Sequence, residues 1–187
     1  RQTYLMQITE IFRSIQGEST YAGLPCIFVR LMGCNLRCTW CDTTYSFTGG
    51  SRMSVEEVMN VVRGFSERDG KRAVNLVEVT GGEPLLQQEC YELLSALLAA
   101  KYEVLIETSG ERFVGDVPAP VVRVIDVKCP GSGEGGTFDL KNLDVLRPTD
   151  QYKFVLSSRA DYEYAREFIR QHELAGKVAA LIFSPVF

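Results

Sequence analysis

Three cysteines fall within one short segment, Gly33-Cys34-Asn35-Leu36-Arg37-Cys38-Thr39-Trp40-Cys41-Asp42-Thr43, spaced C-x3-C-x2-C. Three thiolates on one loop can each bind a different iron of a cubane cluster, which leaves the fourth iron without a protein ligand. An open coordination position is what lets a metal centre meet a substrate. Structural zinc sites close instead with four ligands, commonly in two pairs. Here a lone C-x2-C has no second pair, and the single histidine, His172, lies far along the chain. The competing readings are a zinc site completed by Cys26, Cys90 or Cys129, or a set of packed thiols; singly, those three read as small buried hydrophobes. A second segment, Thr80-Gly81-Gly82-Glu83-Pro84, follows an apolar run. Paired glycines there open backbone angles closed to other residues and let the main chain approach a ligand, although alone they also make an ordinary turn.

The rest of the chain must position these segments. Its 187 residues are 45% hydrophobic and 24% charged, the balance of a folded protein, expected as one domain over 1–187. Lysine plus arginine number 20 against 24 aspartate plus glutamate, a net charge of −4 with no basic stripe, so nucleic acid is not the expected partner. No apolar run reaches the ~18 residues of a membrane helix. Six cysteines are too sparse for a disulfide scaffold and suit a reducing compartment. No charged-then-apolar signal segment follows Arg1, so a cytoplasmic location is expected.

Strand-like runs are expected at Cys26–Leu31, Leu76–Thr80, Glu103–Thr108, Val121–Val127, Tyr152–Leu156 and Ala179–Phe183, apolar enough to be buried on both faces. Ser54-Val55-Glu56-Glu57 reads as a capping box opening a helix with Val55, Val58, Met59 and Val62 inward. Further helices are expected over Gln88–Ala100, with Tyr91, Leu94, Leu97 and Leu98 on one face, and over Ala160–His172, with Tyr164, Phe168 and Ile169 inward. Phe138–Leu146 reads as either a short helix or a loop, and Gly131–Gly136 as a flexible loop. Strand–helix repetition implies right-handed crossovers and a parallel sheet. Six strands are too few for a full barrel. The expected fold is therefore α/β, a partial, open β/α barrel with its site at the carboxyl ends of the strands.

The cysteine triplet resembles that of the radical S-adenosylmethionine superfamily. Further segments narrow the resemblance: Phe12-Arg13-Ser14-Ile15-Gln16-Gly17-Glu18-Ser19, Gly23-Leu24-Pro25-Cys26-Ile27-Phe28-Val29-Arg30, Cys41-Asp42-Thr43 and Glu107-Thr108-Ser109-Gly110. In the same order along nearly the whole chain, they are similar to the 7-carboxy-7-deazaguanine synthase family. That family turns 6-carboxy-5,6,7,8-tetrahydropterin into 7-carboxy-7-deazaguanine with loss of ammonia, on the route to queuosine and other 7-deazapurines.

The resemblance implies a [4Fe–4S] cluster on Cys34, Cys38 and Cys41, with S-adenosylmethionine on its open iron as the source of a 5′-deoxyadenosyl radical. It places Trp40, Cys41, Asp42, Gly82, Asp126, Val127 and Lys128 around S-adenosylmethionine. Trp40 is equally compatible with covering the cluster from water, and Asp126–Lys128 with a surface pair. Ile15, Gln16, Gly17, Glu18, Arg30 and Thr80 are implied at the substrate, Glu18 for an aminopyrimidine N–H pair and Arg30 as a fork for a carboxylate. Arg30 in a surface ion pair is the alternative. Thr43 resembles a Mg²⁺ ligand; Glu107 and Ser184 are weaker candidates, and no general base is assigned. A homodimer and a flavodoxin- or ferredoxin-type electron donor are also implied. In the family a further segment with a His-Lys pair follows Phe183-Ser184-Pro185-Val186-Phe187 and helps to close the site. Two other functions share part of this pattern: a glycyl-radical-activating enzyme, which would not need the Gln-Gly-Glu segment, and a non-catalytic zinc or iron–sulfur module.

Overall fold

The computed structural model describes residues 5–186, so Arg1 and Phe187, named above, lie outside it. The strands are β1 (Met6–Ile15), β2 (Pro25–Leu31), β3 (Ser51–Met53), the two-residue pair β4 (Glu67–Arg68) and β5 (Lys71–Arg72), β6 (Leu76–Gly81), β7 (Glu103–Thr108), β8 (Val122–Asp126), β9 (Gln151–Leu156) and β10 (Ala180–Pro185). Three helices intervene: α1 (Val55–Ser66), α2 (Glu89–Ala99) and α3 (Arg159–Gln171). One eight-stranded sheet runs β10-β9-β8-β7-β6-β2-β1-β3. The six expected strands are all present and mutually parallel. Two further strands, β1 and β3, extend the sheet antiparallel beyond β2. The turn after β1 crosses the open side: Thr20 exchanges hydrogen bonds with Gln151 on β9 (2.9 and 2.8 Å), although four strands separate β1 from β9 in the sheet. That span requires a strongly curved sheet, as in a partial barrel.

Alternation along the strands makes two different faces. Residues such as Ile27, Val29, Val77, Val79 and Ile106 join the core beneath the helices. The opposite, inner face begins with a small apolar floor of Cys26, Leu76, Leu105 and Val124. Above that floor it turns polar, with Glu78, Asp126 and Lys153 all nearly buried. The strands are thus not apolar on both faces; Glu78, Asp126 and Lys153 stand on the inner face where the sheet looks onto the cavity.

The helices form where their end signals lie. Ser54 and Glu57 close a reciprocal capping box on α1, whose Val58 and Val62 are buried. Ser158 accepts the Asp161 N–H at the start of α3, which buries Ala165 and Phe168. On α2 the buried face is Cys90, Leu93, Leu94 and Leu97, with Tyr91 and Leu98 only flanking it. The face is turned from the expected one because Leu93 outcompetes the amphipathic Tyr91 for full burial. Phe138–Leu146 resolves into a 3-10 helix over Leu140–Val145. No helix among the described residues is long and apolar enough to cross a membrane.

Candidate active site

A cavity of about 790 Å³ opens at the carboxyl ends of the parallel strands. Cys34, Cys38 and Cys41 all line it, on the loop that leaves β2. The loop is held from two sides. Glu83 N–H donates to the Gly33 carbonyl (2.9 Å), joining the loop after β6 to the start of the cysteine segment. At Gly82 an added β-carbon would stand 2.2 Å from the Gly33 oxygen and 2.7 Å from the Cys34 β-carbon, so only glycine permits this approach. On the far side Thr39 gives its N–H to Ser132 O (2.9 Å) and its hydroxyl to Gly131 O (3.0 Å), and Arg37 N–H donates to Glu134 Oε1 (2.5 Å). The Gly131–Gly136 stretch is therefore a brace for the cysteines, not a free loop. It is itself anchored by Asp161, which accepts from Gly131 N (2.8 Å).

Glu83, fully buried, ties the same end together. Its carboxylate accepts from the Thr108 hydroxyl (2.8 Å), from the Ser109 N–H and hydroxyl (2.8 Å each) and from Leu85 N–H (3.1 Å). Burial pushes the carboxyl up, against the pull of those donors.

Opposite the cysteines stands a wall of charge. Lys153 on β9 donates to Glu18 Oε2 (2.6 Å) and Glu107 Oε1 (2.5 Å), and Asp126 Oδ2 lies 3.7 Å from the same ammonium. Burial alone would lower the lysine; Glu107, Asp126 and Glu18 more than reverse this and hold it well above its ordinary value. Asp126 Oδ2 also accepts from Lys128 (2.8 Å), and both partners are shielded, so this is no surface pair. Burial pulls against ionisation of Asp126, yet Lys128 and Lys153 keep it below the usual carboxylate range. Beneath them Glu78 accepts the Gln16 side-chain amide. Burial and the neighbouring Glu107 raise Glu78 to about 8, which favours its protonated form.

The implied site residues come together with two exceptions. Trp40, Asp42, Thr43, Gly82, Asp126 and Lys128 line the cavity, as do Gln16, Gly17, Glu18, Arg30 and Thr80. Glu107 and Ser184 line it too. Ile15 does not: it is 57% exposed at the end of β1, where the last three residues of the strand all face solvent. Val127 is fully buried in the helix-side core and reaches the site only through the backbone bond of its N–H to Lys153 O (2.9 Å). Gln16 is inside but already occupied, its amide nitrogen on Glu78 and its amide oxygen on Glu18 N–H (3.1 Å). It braces the loop that presents Gly17 and Glu18. Arg30 bonds Glu10 Oε1 (2.8 Å) and Gly81 O (3.1 Å), with its side chain 14% exposed. Glu10 is shared with the Tyr45 hydroxyl (2.7 Å). The guanidinium is shielded while Glu10 is partly open to solvent, and among the described residues the second Nη of Arg30 has no hydrogen-bond partner. Lys153 and Glu78 are not among the expected site residues; each is the single charged letter of its strand, and that pattern is the signal that could have found them.

The residues present fit the groups that such a loop would serve. Cys34, Cys38 and Cys41 are half-buried free thiols that open onto one cavity. Burial raises Cys34 and Cys38, and Lys128 opposes it. Cys26, Cys90 and Cys129 do not line the cavity, and burial raises all three further, the first and last to about 12. They are in no position to complete a four-thiolate zinc site. Among the described residues no three histidine, cysteine, aspartate or glutamate side chains are arranged to hold a metal ion. Three soft donors around a space, instead of around a point, suit a body of cluster size. On the wall, Asp126 Oδ1 is buried without a hydrogen-bond partner, an acceptor left for a ligand.

Residues 29–124 match the model of the radical SAM superfamily. The chain is 58% identical over 183 residues to the 7-carboxy-7-deazaguanine synthase of Koribacter versatilis, covering 97% of this chain and 78% of that one. It is 44% identical over 185 residues to the enzyme of the same name from Chlorobaculum tepidum, covering 97% and 80%. Among solved structures, that of QueE from Escherichia coli superposes with a TM-score of 0.79 at 24% identity, covering 97% of this chain and 84% of that chain, a likeness of fold.

Proposed function

The chain belongs to the 7-carboxy-7-deazaguanine synthase family of the radical S-adenosylmethionine superfamily, and on that premise we propose that it rearranges 6-carboxy-5,6,7,8-tetrahydropterin to 7-carboxy-7-deazaguanine with loss of ammonia. The observation that carries this reading is that one cavity is bounded by a three-cysteine loop on one side and by the Glu18–Lys153–Glu107 wall on the other.

Cys34, Cys38 and Cys41 would hold a [4Fe–4S] cluster. Bound there with S-adenosylmethionine, it supplies the one-electron chemistry that starts the rearrangement. The chain's own residues position the reactants. Asp126, through its unpartnered Oδ1, and Lys128 offer an acceptor and a cation to the cofactor's polar groups, and Gly82 lets the main chain close on the cysteine loop. Glu18 offers its second oxygen to the N–H edge of the pterin, and Arg30 its free Nη to the carboxylate. Thr80 and Phe28 frame the space between them. The low-dielectric cavity strengthens each of these contacts.

Finer features follow the same reading. Thr43, whose hydroxyl lies 3.7 Å from Cys41 Sγ, would give one oxygen to Mg²⁺, which would supply electrostatic polarisation of the substrate carboxylate. A flavodoxin- or ferredoxin-type donor would reduce the protein, and two copies would form the working assembly. Six free thiols suit a cytoplasmic setting. Anaerobic reconstitution, followed by S-adenosylmethionine, reductant, Mg²⁺ and carboxytetrahydropterin, should give the deazaguanine acid by mass. A zinc-loaded, colourless protein with no S-adenosylmethionine cleavage would overturn the reading.

A further inference from the structure

Lys153 enters the functional reading only as part of the wall and has no task of its own there, yet its ammonium is the point where the wall's carboxylates meet. It comes from β9, Glu107 from β7, Asp126 from β8 and Glu18 from the turn after β1, on the other side of the opening. Four carboxyl groups (Glu18, Glu78, Glu107 and Asp126) face two ammonium groups, Lys153 and Lys128. Without Lys153 the carboxyl groups would lose the cation they share, and the half-exposed Glu18 would be the first free to swing into solvent. Lysine suits the place because its compact head reaches two carboxylates within hydrogen-bond distance and a third at 3.7 Å, in less space than a planar guanidinium takes. Two of these carboxylates give Lys153 one oxygen and keep the other: Glu18 Oε1 has no donor among the described residues, and Asp126 Oδ1 is buried and unpartnered.

We propose that Lys153 is a positioning residue that sets Glu18 as acceptor for the N–H edge of the bicyclic substrate and ties that edge to Asp126 on the cofactor side of the cavity. This rests on the pterin reading. It adds to it that substrate recognition depends on a charge shared across the barrel opening, not on Glu18 alone.

The test uses the anaerobically reconstituted full chain and compares wild type, K153M, K153R, E18Q and the K153M/E18Q double variant. Iron content is measured alongside steady-state constants and the affinity for the oxidised analogue 6-carboxypterin, read from its fluorescence. K153M is expected to raise the KM for carboxytetrahydropterin and the Kd for 6-carboxypterin by about tenfold or more, with the KM for S-adenosylmethionine moving by less than about threefold. The double variant should be no worse than the poorer single by more than about threefold, because the two residues act as a unit. K153R, which keeps the charge, should fall between wild type and K153M, and it carries the test if K153M does not fold. An unchanged pterin KM in K153M or K153R, or single effects that multiply in the double variant, would overturn the inference. Failure of the wild-type chain to turn over the pterin would instead overturn the functional reading.

Discussion

Gly82 lies against Cys34 with no room for a side chain: a β-carbon added to the glycine would stand 2.7 Å from the β-carbon of the cysteine. The loop after β6 and the loop after β2 thus share one contact surface, made of backbone and two small residues. Gly82→Ala should push the cysteine segment outward, at a cost of about 1–3 kcal/mol. The expected result is a folded chain with less iron per polypeptide after reconstitution, measured by iron analysis and visible absorbance. Wild-type iron content would show that the loop yields without consequence.

Arg30 is held by Glu10 and the Gly81 carbonyl, so its free nitrogen has a fixed direction. Arg30→Ala should lower product formation by about 100-fold, the scale of a lost charge-assisted contact. Cluster content should be retained. Product and 5′-deoxyadenosine measured in parallel separate lost substrate positioning from lost cofactor chemistry.

Glu78 should give the apoprotein a distinctive pH dependence. Its carboxyl is raised to about 8 in the fold, against an ordinary 4.5, chiefly by burial and then by Glu107. The folded chain therefore keeps a proton that the unfolded chain releases. The stability tied to this proton is full below the unfolded value and is lost as pH rises toward the folded one. Glu78→Gln keeps an acceptor for Gln16 and carries no titrating proton. Between pH 5 and 8 the wild-type melting temperature should fall more steeply than that of Glu78→Gln, and parallel curves would contradict the assignment.

At the other end of the barrel, Arg123 and Asp150 form a bidentate pair (2.7 and 2.6 Å) with both side chains 0% exposed. Arg123 also caps the carbonyls of Val114 (3.0 Å) and Val145 (2.7 Å). Arg123→Met leaves a buried carboxylate without its partner and should destabilise the fold by about 3–5 kcal/mol. Urea unfolding measures this. Turnover per folded molecule should stay at the wild-type level, because the pair lies away from the cavity.

The six parallel strands and three helices were legible because each is a run of one period bounded by its own end signals. β1 was not. Its letters, Met6-Gln7-Ile8-Thr9-Glu10-Ile11-Phe12-Arg13-Ser14-Ile15, alternate only loosely, and it pairs antiparallel at an outer strand where one face meets solvent. β3 is three residues long and has no pattern of its own; it forms because β1 offers an edge. The cysteine loop was legible from spacing alone. The wall opposite it was not, since Glu18 and Lys153 are 135 residues apart and meet only after the sheet curves. Glu78 and Lys153 interrupt apolar strands, and a charge where a hydrophobe is expected marks an inner face that looks onto a ligand instead of a core.

The clasp of Thr39 on the segment Gly131–Ser132 bears on how far this chemistry can be moved to another scaffold. A peptide cut out around the three sulfurs would carry the donors and leave behind the strap that shapes them, which is encoded some ninety positions downstream. Grafting the motif into a new protein would require transplanting both pieces together, along with the aspartate that pins the strap to the last helix.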